Sequence, residues 1–430
     1  MLLFFLFSVF SAFIDRFVVW LAYLHPALVV GGLGLIAIAI AGRLMPVVLS
    51  PVGRILSLFT VWLIICIPMA IWRGGAFDVF VNLWSRSFLA YVLTAGLVLT
   101  VGQMRTVFHT IAYSIGFLAS LALALHQYDF TGRLAFMASR YANANEFGFT
   151  LLVGLIFLGF VYLQSAGFRK ALAVILMIPV LVALAKTGSR GCLVGALVLV
   201  IFVFTQTTAA VRVRMVFAIP ILIVALALTS TSNIRNRYTA LFRPQDEEVL
   251  TGNEAEAIGS TEARLQLLKD SITTTIRHPL FGVGPGNFMV EQVQLALDRG
   301  EAYGMWHVTH NSYTELSSET GIPGLLIYLL FVFQCWKTLT LIRRRKYASK
   351  DVLVMSQTLR AAFLVLVTVA TFDSVAYGPN IPIIAGLITA LSFIARGQRV
   401  SYQDQSKRDE TAPLLPEPEY EPALTSPLYN

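Results

Sequence analysis

ALAVILMIPVLVALA, residues 171–185, and VFAIPILIVALAL, residues 216–228, are continuous apolar runs without a charge. A strand crossing a membrane in a β-barrel would alternate apolar and polar residues over about ten positions. These runs do not alternate, so the backbone must satisfy itself within each segment, as an α-helix. The surrounding chain repeats the pattern. Of 430 residues, 57% are hydrophobic and 13% are charged, against roughly 45–50% and about 25% in a soluble domain. The mean hydropathy is +0.72. A span consumes about 20 apolar residues, so about twelve spans account for nearly the whole hydrophobic inventory. This composition excludes a soluble enzyme, a disordered chain and a secreted disulfide scaffold. Cys66, Cys192 and Cys335 fall in apolar runs without metal or disulfide spacing and read as small core residues.

The expected fold is an all-α polytopic membrane protein. Spans are expected near 1–14, 26–41, 55–72, 87–101, 106–125, 146–163, 170–186, 190–206, 213–230, 322–336, 355–376 and 380–395. Met1–Phe13 lacks the basic n-region and A-x-A-like exit of a signal peptide, so it reads as a short first helix. With twelve spans, Arg43, Arg54, Arg105, Arg169, Lys170, Arg212, Arg214 and the run Arg343–Lys346 all fall on one side. The positive-inside bias makes that side cytoplasmic, with both termini there. The net charge of +8 is then largely anchoring charge and does not imply nucleic acid. The expected division is 1–230 for spans one to nine, 231–321 for a long extracytoplasmic loop with short helices, 322–395 for the last three spans, and 396–430 for a disordered cytoplasmic tail. The loop holds 12 of the 24 acidic residues. Its part 245–260 reads as an acidic flap, and 261–271 has helical spacing.

Four stretches carry polar groups at the outer face. HNSYTELSSETGIPG, His310 to Gly324, places Asn311 as an N-cap for a short helix with Glu315 and Glu319 on one face, broken by Gly321, Pro323 and Gly324. His310 is thereby held at the membrane surface, where an imidazole can take a proton from a hydroxyl. The alternative is an interfacial histidine bonded to a loop carbonyl. RHPLFGVGPGNF, Arg277 to Phe288, has Gly282, Gly284 and Gly286 around Pro285. Its bare amides could cradle an anion. It lacks the preceding strand and the lysine of a P-loop, so it reads as a scaffold turn that docks the loop onto the helices.

LAKTGSRGCL, Leu184 to Leu193, is an outward hairpin carrying Lys186 and Arg190 against the positive-inside bias. An anionic headgroup or a diphosphate would explain that placement; snorkelling explains Arg73 and Arg86 better than it explains this pair. RYANANEFGF, Arg140 to Phe149, sets Asn143, Asn145 and Glu146 at the top of a helix, where capping alone would also account for them. The first 230 residues contain only Asp15, Asp78, Asp129 and Glu146 as acids. Oxygen ligands for a divalent cation come in clusters, which only Asp129 with Glu146, or the loop acids, could form in space; the favoured expectation is chemistry without a metal or other cofactor, with arginines neutralising a leaving group.

With these residues in view, the sequence resembles the O-antigen ligase and polymerase superfamily of bacterial envelope glycosyltransferases. HNSYTELSSETGIPG before a span, HPLFGVGPGNF upstream of it and KTGSRG in the earlier hairpin carry the resemblance, which extends over roughly residues 90–395. It implies a GT-C-like helical fold in the bacterial inner membrane and an inverting transfer of a glycan from a polyprenyl (undecaprenyl) diphosphate carrier. The acceptor would be lipid A-core or another carrier-linked glycan, at the periplasmic face. It implies roles for His310 at the reacting centre and for Arg190 and Arg264 on the diphosphate, with Lys186 beside them. Asn311, Tyr313, Glu315, Glu319, Arg140 and Asn145 stand in support. The family usually carries a large apolar residue where Thr314 stands. Ligase, polymerase and protein-glycosylating members share these motifs; the layout favours a ligase.

Two other classes fit the sequence less well. A transporter would place ionisable groups near the bilayer midplane, whereas Asp373 lies near an outer end and His109 near an inner one. A scaffold protein binding partners through the 246–256 acids would leave Arg190, Arg264 and His310 without a shared task.

Overall fold

The computed structural model describes residues 1–17, 26–129, 131–137, 139–229, 252–300, 308–345 and 348–411. Among these every named element is helical, and the extended structure is a single bridge between Tyr128 and Leu134. Eight helices are long and apolar enough to cross a membrane: Pro51–Met69, Val101–Ala124, Ala144–Gln164, Gly167–Lys186, Ala209–Leu226, Ser312–Arg343, Lys350–Val369 and Asn380–Gln398. Leu2–Ser11, Pro26–Ile40 and Arg190–Gln206 are shorter apolar helices. The chain is a polytopic helical membrane protein. Side chains such as Ile175, Phe217 and Phe333, each more than half exposed, present apolar surface that a bilayer covers and water would not tolerate at this extent.

The helix boundaries follow from capping chemistry. Ser50, Thr100, Asn143, Ser189, Asn311 and Ser349 each turn a side-chain oxygen onto a backbone N–H of the following turn. Each satisfies a donor that a helix start leaves open. Aromatic rings fill the interior: Phe108 meets Phe157 and Phe160 edge-on at 4.9 Å each, and Phe59 meets Trp84 in the same manner. The three cysteines are free and buried, as their apolar surroundings suggested.

The structure departs from the expected layout in three places. The span expected at 87–101 is a composite of Arg73–Val79, a π-helical turn Phe80–Trp84 and Ser85–Leu97. The helical spacing at 261–271 belongs to a longer helix, Gly252–Arg277. Residues 252–260 of the expected flap are therefore helical, while 231–251 lie outside the described residues. The last helix, expected to end at 395, continues to Thr411, because nothing in the polar sequence after Arg396 breaks it before Pro413. Residues 412–430 lie outside the described residues.

Three antiparallel helices define the two ends of the bundle. Val101–Ala124, Ala144–Gln164 and Gly167–Lys186 each run about 30–36 Å. The 124–144 connection and Lys186 lie at one end, and Arg105, Gln164 and Arg169 at the other. The motifs singled out in the sequence gather at the first.

Candidate active site

Asn311 caps its helix as expected: Oδ1 accepts from the amides of Tyr313 at 2.9 Å and Thr314 at 3.2 Å. The helix it starts, Ser312–Arg343, departs from helical geometry at Gly321 (φ 72°, ψ 177°) and resumes across Pro323. One break at Gly321 replaces the broader disruption expected over 321–324. Just ahead of the cap, His310 sits in the left-handed region at φ 50°, a conformation that costs an L-residue roughly 1–2 kcal/mol. Tertiary bonds hold it there. Ser312 donates from its amide to Ala370 O at 2.8 Å and from Oγ to Asp373 O at 2.7 Å. The hydroxyls of Thr309 and Ser374 bond at 2.8 Å. The loop after helix Lys350–Val369 thus clamps the His310 backbone from both sides.

That loop also supplies a residue given no role in the sequence reading. The carboxylate of Asp373 stands 3.5 Å from Nδ1 of His310, with the aspartate side chain 2% exposed and the histidine 24%. Asp373 Oδ1 is fixed by the amide of Ser374 at 3.0 Å. A buried carboxylate beside one imidazole nitrogen bears on the ring's orientation. The remaining nitrogen, Nε2, is then free to take a proton.

The glycine turn has a different task from anion capture. Glu319 reaches into it: Oε2 accepts from the amide of Gly286 at 2.7 Å and Oε1 from that of Phe288 at 3.3 Å. Tyr377 donates its hydroxyl to Oε2 at 2.8 Å. Burial, and then the charges of Glu319 and Glu315, keep the Tyr377 phenol well above its ordinary pKa and so protonated for that bond. Backbone bonds from Val283 and Gly284 to the carbonyls of Ser318 and Glu319 complete the dock. The backbone passes so close that a Cβ on Gly282 (φ 65°) would strike the Glu319 carbonyl carbon. This anion cradle is filled by the chain itself. Glu315 is likewise committed, its Oε2 accepting from the amide of Ala376 at 3.3 Å, and Tyr313 donates to Val367 O at 2.8 Å.

The KTGSRG hairpin reaches the same loop from another side. Ser189 Oγ caps the helix that begins at Arg190, accepting from Cys192 N at 3.4 Å. A Cβ on Gly191 would meet Cβ of Phe372 at 2.8 Å, so the Arg190 turn lies against the residue next to Asp373. Arg133 locks the hairpin. Its Nε donates to Thr187 O and its Nη2 to Asn145 Oδ1, both at 2.7 Å. Asn145 therefore serves as an anchor, and Asn143 provides the cap. Lys186 reaches Tyr128 OH at 3.2 Å, and Arg190 is half-buried.

Arg264 is half-buried on helix Gly252–Arg277. That helix packs on the His310 helix, with the Thr275 and Ser317 hydroxyls 2.9 Å apart. Arg140 stands apart from the others. Its guanidinium lies 5.3 Å from the Tyr141 ring centre, at a cavity of about 540 Å3 whose wall includes Arg86, Glu146, Glu315, Ser374 and Tyr377. The rest of that wall is largely apolar, from the helices Leu2–Ser11 and Pro26–Ile40 and from Leu366, Val369 and Ile381. An amphipathic cavity thus adjoins the His310 loop without containing His310. Among the described residues no three of His, Cys, Asp or Glu gather as a metal site would require.

Residues 172–329 match the family model described as O-antigen ligase. This segment is similar to the O-antigen ligase family. The O-antigen ligase match takes in Lys186, Arg190, Arg264, the glycine turn and the motif from His310 onward, and so bears out the resemblance those motifs carried. It is narrower than the 90–395 extent of the sequence resemblance: Arg133, Asn145 and Asp373, which position the O-antigen ligase motifs, lie outside it. No curated protein matches the chain.

Proposed function

We propose that this protein transfers a glycan from a polyprenyl diphosphate carrier to an acceptor hydroxyl, most simply O-antigen to lipid A-core, at the periplasmic face of the bacterial inner membrane. The observation that carries this reading is His310, which lies within the segment that matches O-antigen ligase and is backed by buried Asp373 from outside that segment. The excess of arginine and lysine at the opposite end supports placing that end, with both termini, in the cytoplasm.

In this reading His310 Nε2 accepts the acceptor's hydroxyl proton as its oxygen attacks the anomeric carbon. The bond from that carbon to the diphosphate oxygen breaks, the anomeric centre inverts, and the carrier diphosphate leaves with the electron pair. General base catalysis contributes roughly 10²–10⁴-fold. Charge grows on the leaving diphosphate, and Arg190 and Arg264 offer planar, permanently charged forks for its oxygens, with Lys186 adding a point charge. Loss of one such donor in a water-poor site costs roughly 3–4 kcal/mol of barrier. The amphipathic cavity beside the loop suits a lipid-linked substrate, apolar wall to the chain and polar groups toward His310. Activation resides in the diphosphate linkage, so neither nucleotide nor metal is invoked.

The test is transfer by purified protein from a polyprenyl-diphosphate glycan, with EDTA present, with and without lipid A-core. Carrier release that depends on lipid A-core supports the ligase. Lengthening of the carrier-linked glycan without it makes the protein a polymerase. No transfer to either acceptor by folded protein refutes both.

A further inference from the structure

At the end of the bundle opposite His310, a cleft of about 460 Å3 opens between three helices and is lined by Arg105, His109, Gln164, Ser165, Phe168 and Arg169. No acid lines it. Arg105 gives one Nη to Asp351 at 2.9 Å, but its buried Nε has no hydrogen-bond partner among the described residues. The same is true of His109 Nε2 and Tyr113 OH. Arg169 has no acidic partner among the described residues, and His109 lies within the electrostatic reach of both arginines. Helix Gly167–Lys186 starts here without a side-chain cap, so its first amides add to the positive field. Buried donors left open are costly unless a partner is supplied, and the two guanidiniums beside them favour an anion as that partner.

The flanks identify the kind of anion. Leu163 is 71% and Phe168 79% exposed, and Lys170 Nζ sits 4.7 Å from the Tyr162 ring centre. Apolar side chains beside an aromatic–lysine pair at helix ends mark the height of lipid headgroups. We propose that this cleft binds the phosphate of an anionic phospholipid, Arg105 and Arg169 flanking the charge and His109 Nε2 donating to an oxygen, with the acyl chains along Leu163 and Phe168. The site is separate from the glycan-transfer centre, about a membrane thickness away along the same helices.

Native mass spectrometry of the detergent-purified full chain tests this, titrating phosphatidylglycerol against phosphatidylcholine. One phosphatidylglycerol is expected to bind at least about fivefold more tightly than phosphatidylcholine, and Arg169→Gln should weaken it about fivefold, the effect of one cation at a lipid surface. Arg169→Gln removes an exposed side chain and should leave thermal unfolding unchanged; His109→Gln should add to the loss. Equal binding of the two lipids, or an unchanged preference in Arg169→Gln, overturns the proposal. Displacement of the lipid by millimolar inorganic phosphate overturns the lipid assignment in favour of a free anion, whereas retention supports it. The readout is lipid retention, so it is independent of whether glycan transfer is observed.

Discussion

Two glycine-containing turns stand at the same end of this bundle and resolve their electrostatics in opposite ways. The 282–286 turn closes on a carboxylate from its own chain, Glu319, which accepts from two backbone amides and one phenol. The 186–191 hairpin is held from outside itself, chiefly by Arg133, and carries Lys186, which meets the Tyr128 hydroxyl, and half-buried Arg190. A turn whose charge is met internally is architecture. A turn held in place by a neighbouring cation can be loosened without emptying its own charge.

Substitutions can break or sharpen that contrast. Glu319→Ala strands three buried donors and should cost about 3–5 kcal/mol of stability, seen as a large fall in Tm in detergent. Glu319→Gln, which keeps one acceptor oxygen, should fall less; equal melting of both variants and the parent would deny the turn its structural role. Arg190→Ala should do the converse, lowering Tm less than Glu319→Ala does while transfer drops by roughly 10²–10³-fold. Undiminished transfer there would remove the diphosphate clamp. Asp373→Asn retains the shape but not the charge beside His310 and should slow transfer about tenfold, with kcat affected more than KM. Smallest is Arg133→Gln, which loosens the hairpin's dock by about 1 kcal/mol; a matching loss of transfer would show that Arg190 depends on that dock.

The sequence made some of this legible and hid the rest for physical reasons. Caps are local, so Asn311 at the head of its helix could be read from the residue type and the following apolar run. The glycine turn could be read as scaffold because a P-loop's lysine was missing. Which anion it holds could not be read, since Glu319 lies more than thirty positions downstream. Asp373 was visible only as an acid near the end of a span; its pairing with His310 depends on a loop that returns across 63 residues. Arg133 was hidden similarly, because its partners Thr187 and Asn145 come from two other helices. The 85–97 segment misled the span reading because composition does not report a π-turn, which inserts a residue into the helical ladder without changing hydropathy.

Gly321 has a mechanical consequence. At that residue the long helix loses its internal bond, and Ile322 donates instead to Pro279 O at 2.8 Å. The segment before it is tied down at Ser312, Glu315 and Glu319, whereas the segment after it faces the bilayer with side chains such as Leu326 and Phe333. A span adjusts its tilt to match the thickness of the surrounding lipid, and a rigid rod would carry that tilt straight to its tip. Here the rod is bent at Gly321. A bend at one residue lets the lower arm take up a tilt that the upper arm, where His310 stands beside Asp373, need not follow.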